Sequence, residues 1–171
     1  MKPGQRSDNP PFREAFEKGD FIDKTALVLS SWFGSGLVPV APGTFGTLAA
    51  VAPVAVIKYL GWIPESIFIV MVVFLALWSS HVTRDCLVRE DPPEVVIDEA
   101  AGFCFSVFLL PLSVLSLCLG FLFFRLFDIL KPFPIGVIDR RVRGGLGIVL
   151  DDLVAGIFAN IGARIILAFI G

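Results

Sequence analysis

The sequence predicts an all-α fold: a compact, membrane-associated helical bundle of short helical hairpins, with its polar residues gathered at one end. Three observations carry this reading. The 171-residue chain is 56% hydrophobic and only 18% charged, and its mean hydropathy of +0.83 lies far above that of ordinary soluble domains. Ala100 to Phe124 is a run of 25 residues without a charge, where about 20 apolar residues suffice for a helix to cross a bilayer core. β-Branched residues are scattered without alternation, so no strands are expected.

Taken in order, the elements follow from punctuation by Pro, Gly and charge. Residues 1–24, MKPGQRSDNPPFREAFEKGDFIDK, carry both signs of charge with Pro and Gly. They read as a solvated arm with one short helix at Phe12 to Lys18, and the apolar core of a signal peptide is absent. Residues 25–171 form the membrane domain. Thr25 to Ile57 is uncharged but broken by Gly, Pro and Ser, and GSGLVPVAPGTFGT (Gly34 to Thr47) reads as a loop leading into a helix that ends near Leu60. Gly61 to Pro64 is a turn. A helix from Glu65 to Leu87 ends before REDPPEV, where Pro92 and Pro93 forbid continuation. Asp98 opens the next segment, which Pro111-Leu-Ser interrupts, and a helix from Ser113 to Lys131 stops at KPFP. The loop RVRGGLG then precedes Asp151 and Asp152, which are expected to begin the last helix. Ile67 to Ser80, and Leu153 to Gly171 with Arg164 inside it, are weaker crossing candidates than Ala100 to Phe124.

Composition also excludes functions. The net charge of -2 and the lack of a basic, aromatic-laced stripe argue against nucleic acid as a partner. Cys86, Cys104 and Cys118 show no CxxC spacing, and the latter two sit in apolar runs as small hydrophobes.

The carboxylates fall at the ends of apolar segments: Asp98 and Glu99 at the start of one, Asp128 near the end of another, Asp151 and Asp152 at the start of a third. An Asp at a helix start can simply cap it. Asp128 is harder to dismiss, because Arg125, Asp128 and Lys131 at three-residue spacing share one helix face at the end of FLFFRLF. If 98–128 were one straight helix, its ends would stand roughly 45 Å apart, on opposite sides of a bilayer. A turn at Pro111-Leu-Ser instead brings Asp98 and Glu99 level with Arg125, Asp128 and Lys131. A turn at Gly61 to Pro64 likewise returns His81 and Asp85 toward Thr44 and Thr47.

Several carboxylates, a few cations and Gly-rich loops at one end suit phosphoryl chemistry. Mg2+ prefers oxygen ligands and pairs a few carboxylates with substrate phosphate, and phosphoryl transfer needs positioning and charge neutralisation above all. On a membrane protein this points to a lipid phosphate. The residues strike out several alternatives. With His81 as the only histidine, mechanisms needing two fail. Six positions after the cysteines stand Pro92, Leu110 and Phe124, which removes the loop of cysteine-dependent phosphatases. No Asp-x-Asp exists, and DFIDKTAL lacks the glycine and arginine of CDP-alcohol phosphotransferases.

Four blocks in order, GSGLVPVAPGTFGTLAA, VIDEAAGF, FRLFDILKPFPIGVIDRR and GGLGIVLDDLVAGIFAN, make the chain from Trp32 onward resemble the phosphatidylglycerophosphatase A family. That resemblance implies a Mg2+-dependent bacterial membrane enzyme that hydrolyses phosphatidylglycerophosphate to phosphatidylglycerol and phosphate, and an all-helical fold. It implies Asp98, Glu99, Asp128, Lys131 and Asp152 as catalytic residues, with Asp98, Glu99, Asp128, Asp151 and Asp152 as metal-site carboxylates. Arg125, Arg140 and Lys131 would neutralise phosphate, and Thr44, Gly46, Thr47 and Gly145 would contribute hydroxyl or backbone contacts. The role of Asp139, metal ligand or partner of an arginine, stays open. So does the nucleophile, water or an aspartate. A non-catalytic lipid-binding protein and a Mg2+-dependent phospholipid phosphotransferase are the competing readings. Lys2, Arg6, Arg13, Lys18 and Lys24, with Lys131, Arg140, Arg141 and Arg143 at the same end, imply a site facing the cytoplasm from the bacterial inner membrane.

Overall fold

The computed structural model describes residues 10–142 and 144–170, so Lys2, Arg6 and Arg143 of the orientation argument lie outside the described residues. Among the described residues there are eight α-helices and no strand: α1 Phe12–Lys18, α2 Phe21–Ser30, α3 Pro42–Tyr59, α4 Trp62–Leu87, α5 Ile97–Val107, α6 Val114–Leu130, α7 Ile135–Arg141 and α8 Gly145–Ile170, with a 3-10 turn at Ser35–Leu37. The all-helical bundle expected from the sequence is what forms.

The boundaries differ from expectation in informative places. Asp20 and Asp23 form a reciprocal capping box, so α2 already begins within the stretch expected to be solvated arm. The loop after α2 is shorter than expected, because Pro42 stands in the first turn of α3, where its missing N–H costs nothing. Gly43, Thr44, Gly46 and Thr47 are therefore helical. VIDRR, to which the sequence reading assigns no element, forms most of α7. The last helix begins at Gly145, so Asp151 and Asp152 lie a turn or more inside it and cap nothing. Asp98 is likewise in the first turn of α5 and not its cap, which is Val96.

The 25-residue uncharged run is not a spanning helix. It divides into α5 and α6, an antiparallel hairpin whose turn holds Pro111, and α6 is capped by Ser113, whose hydroxyl accepts from the Ser116 N–H. The helices long and apolar enough to cross a membrane are α4 and α8, at 26 residues each. Only 33% and 22% of their most apolar windows are buried, which is unlike the core helix of a soluble protein. Ile67, Phe74 and Trp78 on α4, and Ile157, Ile161 and Ile165 on α8, point outward. An apolar outer face of this extent suits hydrocarbon better than water.

The core lies where α5 is enclosed by α3, α4, α6 and α8, with Phe103, Phe124, Ile97 and Val107 fully buried. The most extensive contact is between α5 and α8. It is close because both helices place glycine there: a Cβ on Gly156 would collide with the Gly102 carbonyl, and one on Gly102 would stand 2.7 Å from the Asp152 carbonyl.

Candidate functional site

At one end of the bundle, the starts of α3, α5 and α8 meet the end of α6, α7 and the loop after α4 around a cavity of about 430 Å3. Among the described residues, eight carboxylates line it, Glu90, Asp91, Asp98, Glu99, Asp128, Asp139, Asp151 and Asp152, with two cations, Lys131 and Arg140. That imbalance in an apolar protein is the leading electrostatic fact about the molecule.

Asp98 and Glu99 come from the first turn of α5, and Asp152 from α8 across the glycine-mediated contact. One carboxylate oxygen from each lies within 4.8 Å of the others. Asp98 Oδ1 and Glu99 Oε2 are buried with no hydrogen-bond partner among the described residues, an arrangement that costs each group its hydration without replacement. Burial, with the neighbouring Glu99 and Asp152 charges, pushes Asp98 well above the usual carboxylate range. Burial also raises Glu99, to about 7, assisted by the Asp128 charge and opposed by its hydrogen bond to Asp98 and by Arg125. A divalent cation would answer both the orphaned oxygens and the repulsion, and the three-oxygen donor set is of the hard type that Mg2+ takes.

The cations are fixed by two distinct devices. Lys131 caps α6 in the left-handed region at φ 43°, which turns its side chain back over the cavity. Its Nζ donates to Asp139 Oδ1 at 2.5 Å and to Asp151 Oδ2 at 2.7 Å. Burial works against the Lys131 charge, but these two carboxylates outweigh it and hold the ammonium above its ordinary range. Arg125 pairs with Asp128 at 2.6 Å across one helical turn, and the Asp128 carboxyl group lies close to that of Asp152. Gly43 completes this corner. A Cβ there would strike Glu99 Oε1 and stand 3.2 Å from Arg125 Nη1, so only glycine lets α3 start so close to both.

The structure thus brings Asp98, Glu99, Asp128, Lys131, Asp139, Arg140, Asp151 and Asp152 to one cavity. It does not bring every expected residue there. Thr47 is fully buried and its hydroxyl donates to the Gly43 carbonyl. Thr44 does not line the cavity either, and its N–H is bonded to Ala41. Gly145 serves contact between helices, since a Cβ on it would meet His81 at 2.9 Å; its neighbours Gly144 and Gly147 line the cavity instead. His81 and Asp85 face each other at 3.9 Å on the exposed side of α4 and do not line the cavity. Asp151 pairs with Lys131 and is not among the three carboxylates that converge. The sequence reading missed Glu90, Asp91 and Gly43. The Pro92-Pro93 turn that folds REDPPEV back over Asp98 was the available signal for the first two.

Fold and site together define a class: an all-helical, apolar bundle with an acidic cavity, short of cations, at one end. Comparison with known proteins narrows it. Residues 28–167 match the family described as Phosphatidylglycerophosphatase A, and the chain belongs to that family. It is 36% identical over 133 residues to the phosphatidylglycerophosphatase A of Escherichia coli K12, covering 77% of each chain. The Haemophilus influenzae protein of the same name is 37% identical over 136 residues, 78% of this chain and 83% of the relative. A Bacteroides thetaiotaomicron relative, provisionally named a phosphatidylinositol-3-phosphatase, is 31% identical over 144 residues, 79% of this chain and 89% of the relative. No solved structure matches.

Proposed function

We propose that this protein is a Mg2+-dependent phosphatase that removes the terminal phosphate of phosphatidylglycerophosphate at the cytoplasmic face of a bacterial inner membrane. The observation that carries the reading is the convergence of Asp98, Glu99 and Asp152 with two orphaned buried oxygens, beside Lys131 and Arg140. Family membership supports the substrate.

Asp98, Glu99 and Asp152 would hold the ion. Bound there, Mg2+ would supply Lewis-acid polarisation of a phosphoryl oxygen and offset the charge of the monoester. Lys131 and Arg140 stand on the same cavity wall to neutralise the remaining phosphate oxygens as the bond to the leaving alcohol lengthens. Asp128, anchored by Arg125, is the carboxylate we assign to accept the proton of the attacking water and return it to the departing alkoxide. The protein would thereby release an alcohol and inorganic phosphate with no net change in protons beyond those of the products.

Orientation has its own support. Asp23 of α2 bonds Cys86 near the end of α4, which places the Lys18 and Lys24 region at the cavity end with Arg84, Arg89, Lys131, Arg140 and Arg141. An excess of Lys and Arg marks the cytoplasmic side. The test is phosphate release by purified protein in detergent, from phosphatidylglycerophosphate and from soluble glycerol phosphate, with and without Mg2+. Turnover of the lipid that is lost on chelation and restored by Mg2+ is expected; undiminished turnover after chelation would overturn the cation assignment, and no turnover of the lipid under any condition the substrate assignment.

A further inference from the structure

The short helix that carries Asp98 and Glu99 ends inside the bundle. α5 has 11 residues, and a helix leaves its last carbonyls without intrahelical partners. In an apolar interior those groups require others. Four consecutive carbonyls, Phe105 to Phe108, receive side-chain donors from two other helices. Asn160 Nδ2 on α8 lies 3.2, 3.1 and 2.9 Å from the carbonyls of Phe105, Ser106 and Phe108. Arg164 Nη2 donates to Phe108 at 3.0 Å, and its Nε donates to Asn160 Oδ1 at 2.7 Å, which fixes which way the amide faces. Lys58 Nζ on α3 donates to Val107 at 2.8 Å and to Glu65 Oε1 at 2.7 Å.

The placement matters because of what stands at the other end of the same contact. Asn160 follows Asp152 by two turns of α8, about 12 Å, and Phe105 to Phe108 follow Asp98 by about 10 to 15 Å along α5. The smooth Gly102 and Gly156 surfaces between them bring the helices close but carry no side chain that would stop one sliding or rotating on the other.

We propose that Asn160, oriented by Arg164, is a positioning residue for the acidic site: by clamping the C-terminal end of α5 to α8 it sets the register that brings Asp98 and Glu99 to Asp152. This rests on the phosphatase reading only for the cation used as a probe. A conventional stabilising bond would alter how much protein is folded. A register clamp alters the spacing of carboxylates in protein that is folded.

The test compares full-length Asn160→Leu, which has similar volume and no donors, with Asn160→Gln, which keeps the donors. Mg2+ affinity is read from the rise in thermal unfolding temperature on Mg2+ titration in detergent, and separately from the half-saturating Mg2+ for phosphate release. For Asn160→Leu the half-saturating Mg2+ should rise about tenfold, the scale of losing a supporting group behind a metal ligand, while turnover at saturating Mg2+ stays within about threefold of the parent. Asn160→Gln should lie between. An Asn160→Leu protein that is less stable yet responds to Mg2+ at the parent's concentration overturns the proposal. A second readout needs no cation: cysteines at 98 and 152 should form a disulfide at least about tenfold more slowly when Asn160→Leu is added. Equal rates overturn the clamp even if the parent protein shows no response to Mg2+, an outcome that by itself would defeat the phosphatase reading's cation and not the clamp.

Discussion

Two ends of one bundle handle polar and charged groups in opposite ways. At the inner end of α5, Lys58 is paired with Glu65 and a carbonyl, and Asn160 and Arg164 are bonded to each other and to carbonyls. At the cavity end, eight carboxylates face two cations among the described residues. The buried charged atoms without a hydrogen-bond partner among the described residues, on Glu94, Asp98, Glu99 and Arg125, all belong to that end. The chain therefore can satisfy buried polar groups and does so where they hold helices together. Where it leaves oxygens of Asp98 and Glu99 buried and orphaned in a crowd of carboxylates, it keeps them at a cost in stability, which is how a site that awaits a cation and a phosphate differs from a structural ion pair.

Removing a charge should accordingly have opposite effects at the two ends. Asp152→Asn takes one carboxylate from the crowded three while preserving shape. Activity is expected to fall about 1,000-fold or more, on the scale of losing a principal electrostatic group, and Mg2+-induced thermal stabilisation should vanish. Yet the cation-free variant should unfold no lower than the parent, because repulsion within the group is relieved. A variant that keeps its Mg2+ response would take Asp152 out of the cation site.

At the other end, Glu65→Leu leaves Lys58 buried without its counter-charge. The side chains of Lys58 and Glu65 are only 3% and 7% exposed, and breaking such a pair from one side costs about 3–5 kcal/mol. Lys58→Met combined with Glu65→Leu should recover much of that. Chemical or thermal unfolding of the two singles and the double in one detergent gives the cycle, and strictly additive losses would show that the pair is not coupled.

The contrast between the ends was only half legible in the sequence. The cavity was readable because its residues cluster at the ends of apolar runs, and because Pro111 made a hairpin the sole arrangement that puts Asp98 beside Asp128. Which carboxylate does what was not readable. Asp151 and Asp152 are adjacent letters, but about 100° apart around α8; one meets Lys131 and the other Asp98 and Glu99. Lys131 reaches Asp139 only because its backbone turns left-handed and VIDRR becomes α7, neither of which spacing foretells. The inner clamp was invisible for a different reason. Lys58, Asn160 and Arg164 are isolated polar residues in apolar segments far apart in the chain, and what they share is a neighbour, the end of α5, that only the fold supplies. Ionisable residues in an apolar run do warn of a function, but not of which carbonyls they serve.

The smallest effect is also the one that distinguishes a cation site from a merely crowded one. Glu99 is raised to about 7 by burial and the Asp128 charge, so the folded protein holds that proton more tightly than the unfolded chain, whose glutamates titrate near 4.3. The sign follows: the stability linked to Glu99 is fully present below the unfolded value and is lost as pH rises through about 7. Cation-free protein should therefore unfold at progressively lower temperature as pH rises toward about 7, with little further change by pH 8. Mg2+ must displace the same proton, so its half-saturating concentration should fall with rising pH, up to about tenfold per unit below 7, and level off above it. With Mg2+ saturating, the loss of stability across that window should largely disappear. Thermal unfolding at pH 6, 7 and 8 across a Mg2+ titration measures both trends, and Glu99→Gln should flatten the first. A half-saturating Mg2+ independent of pH over this range would mean that Glu99 is protonated or absent in the occupied site, and the orphaned oxygen at the start of α5 would then be a carboxyl kept neutral by its neighbours, with Asp98 and Asp152 left to hold the ion.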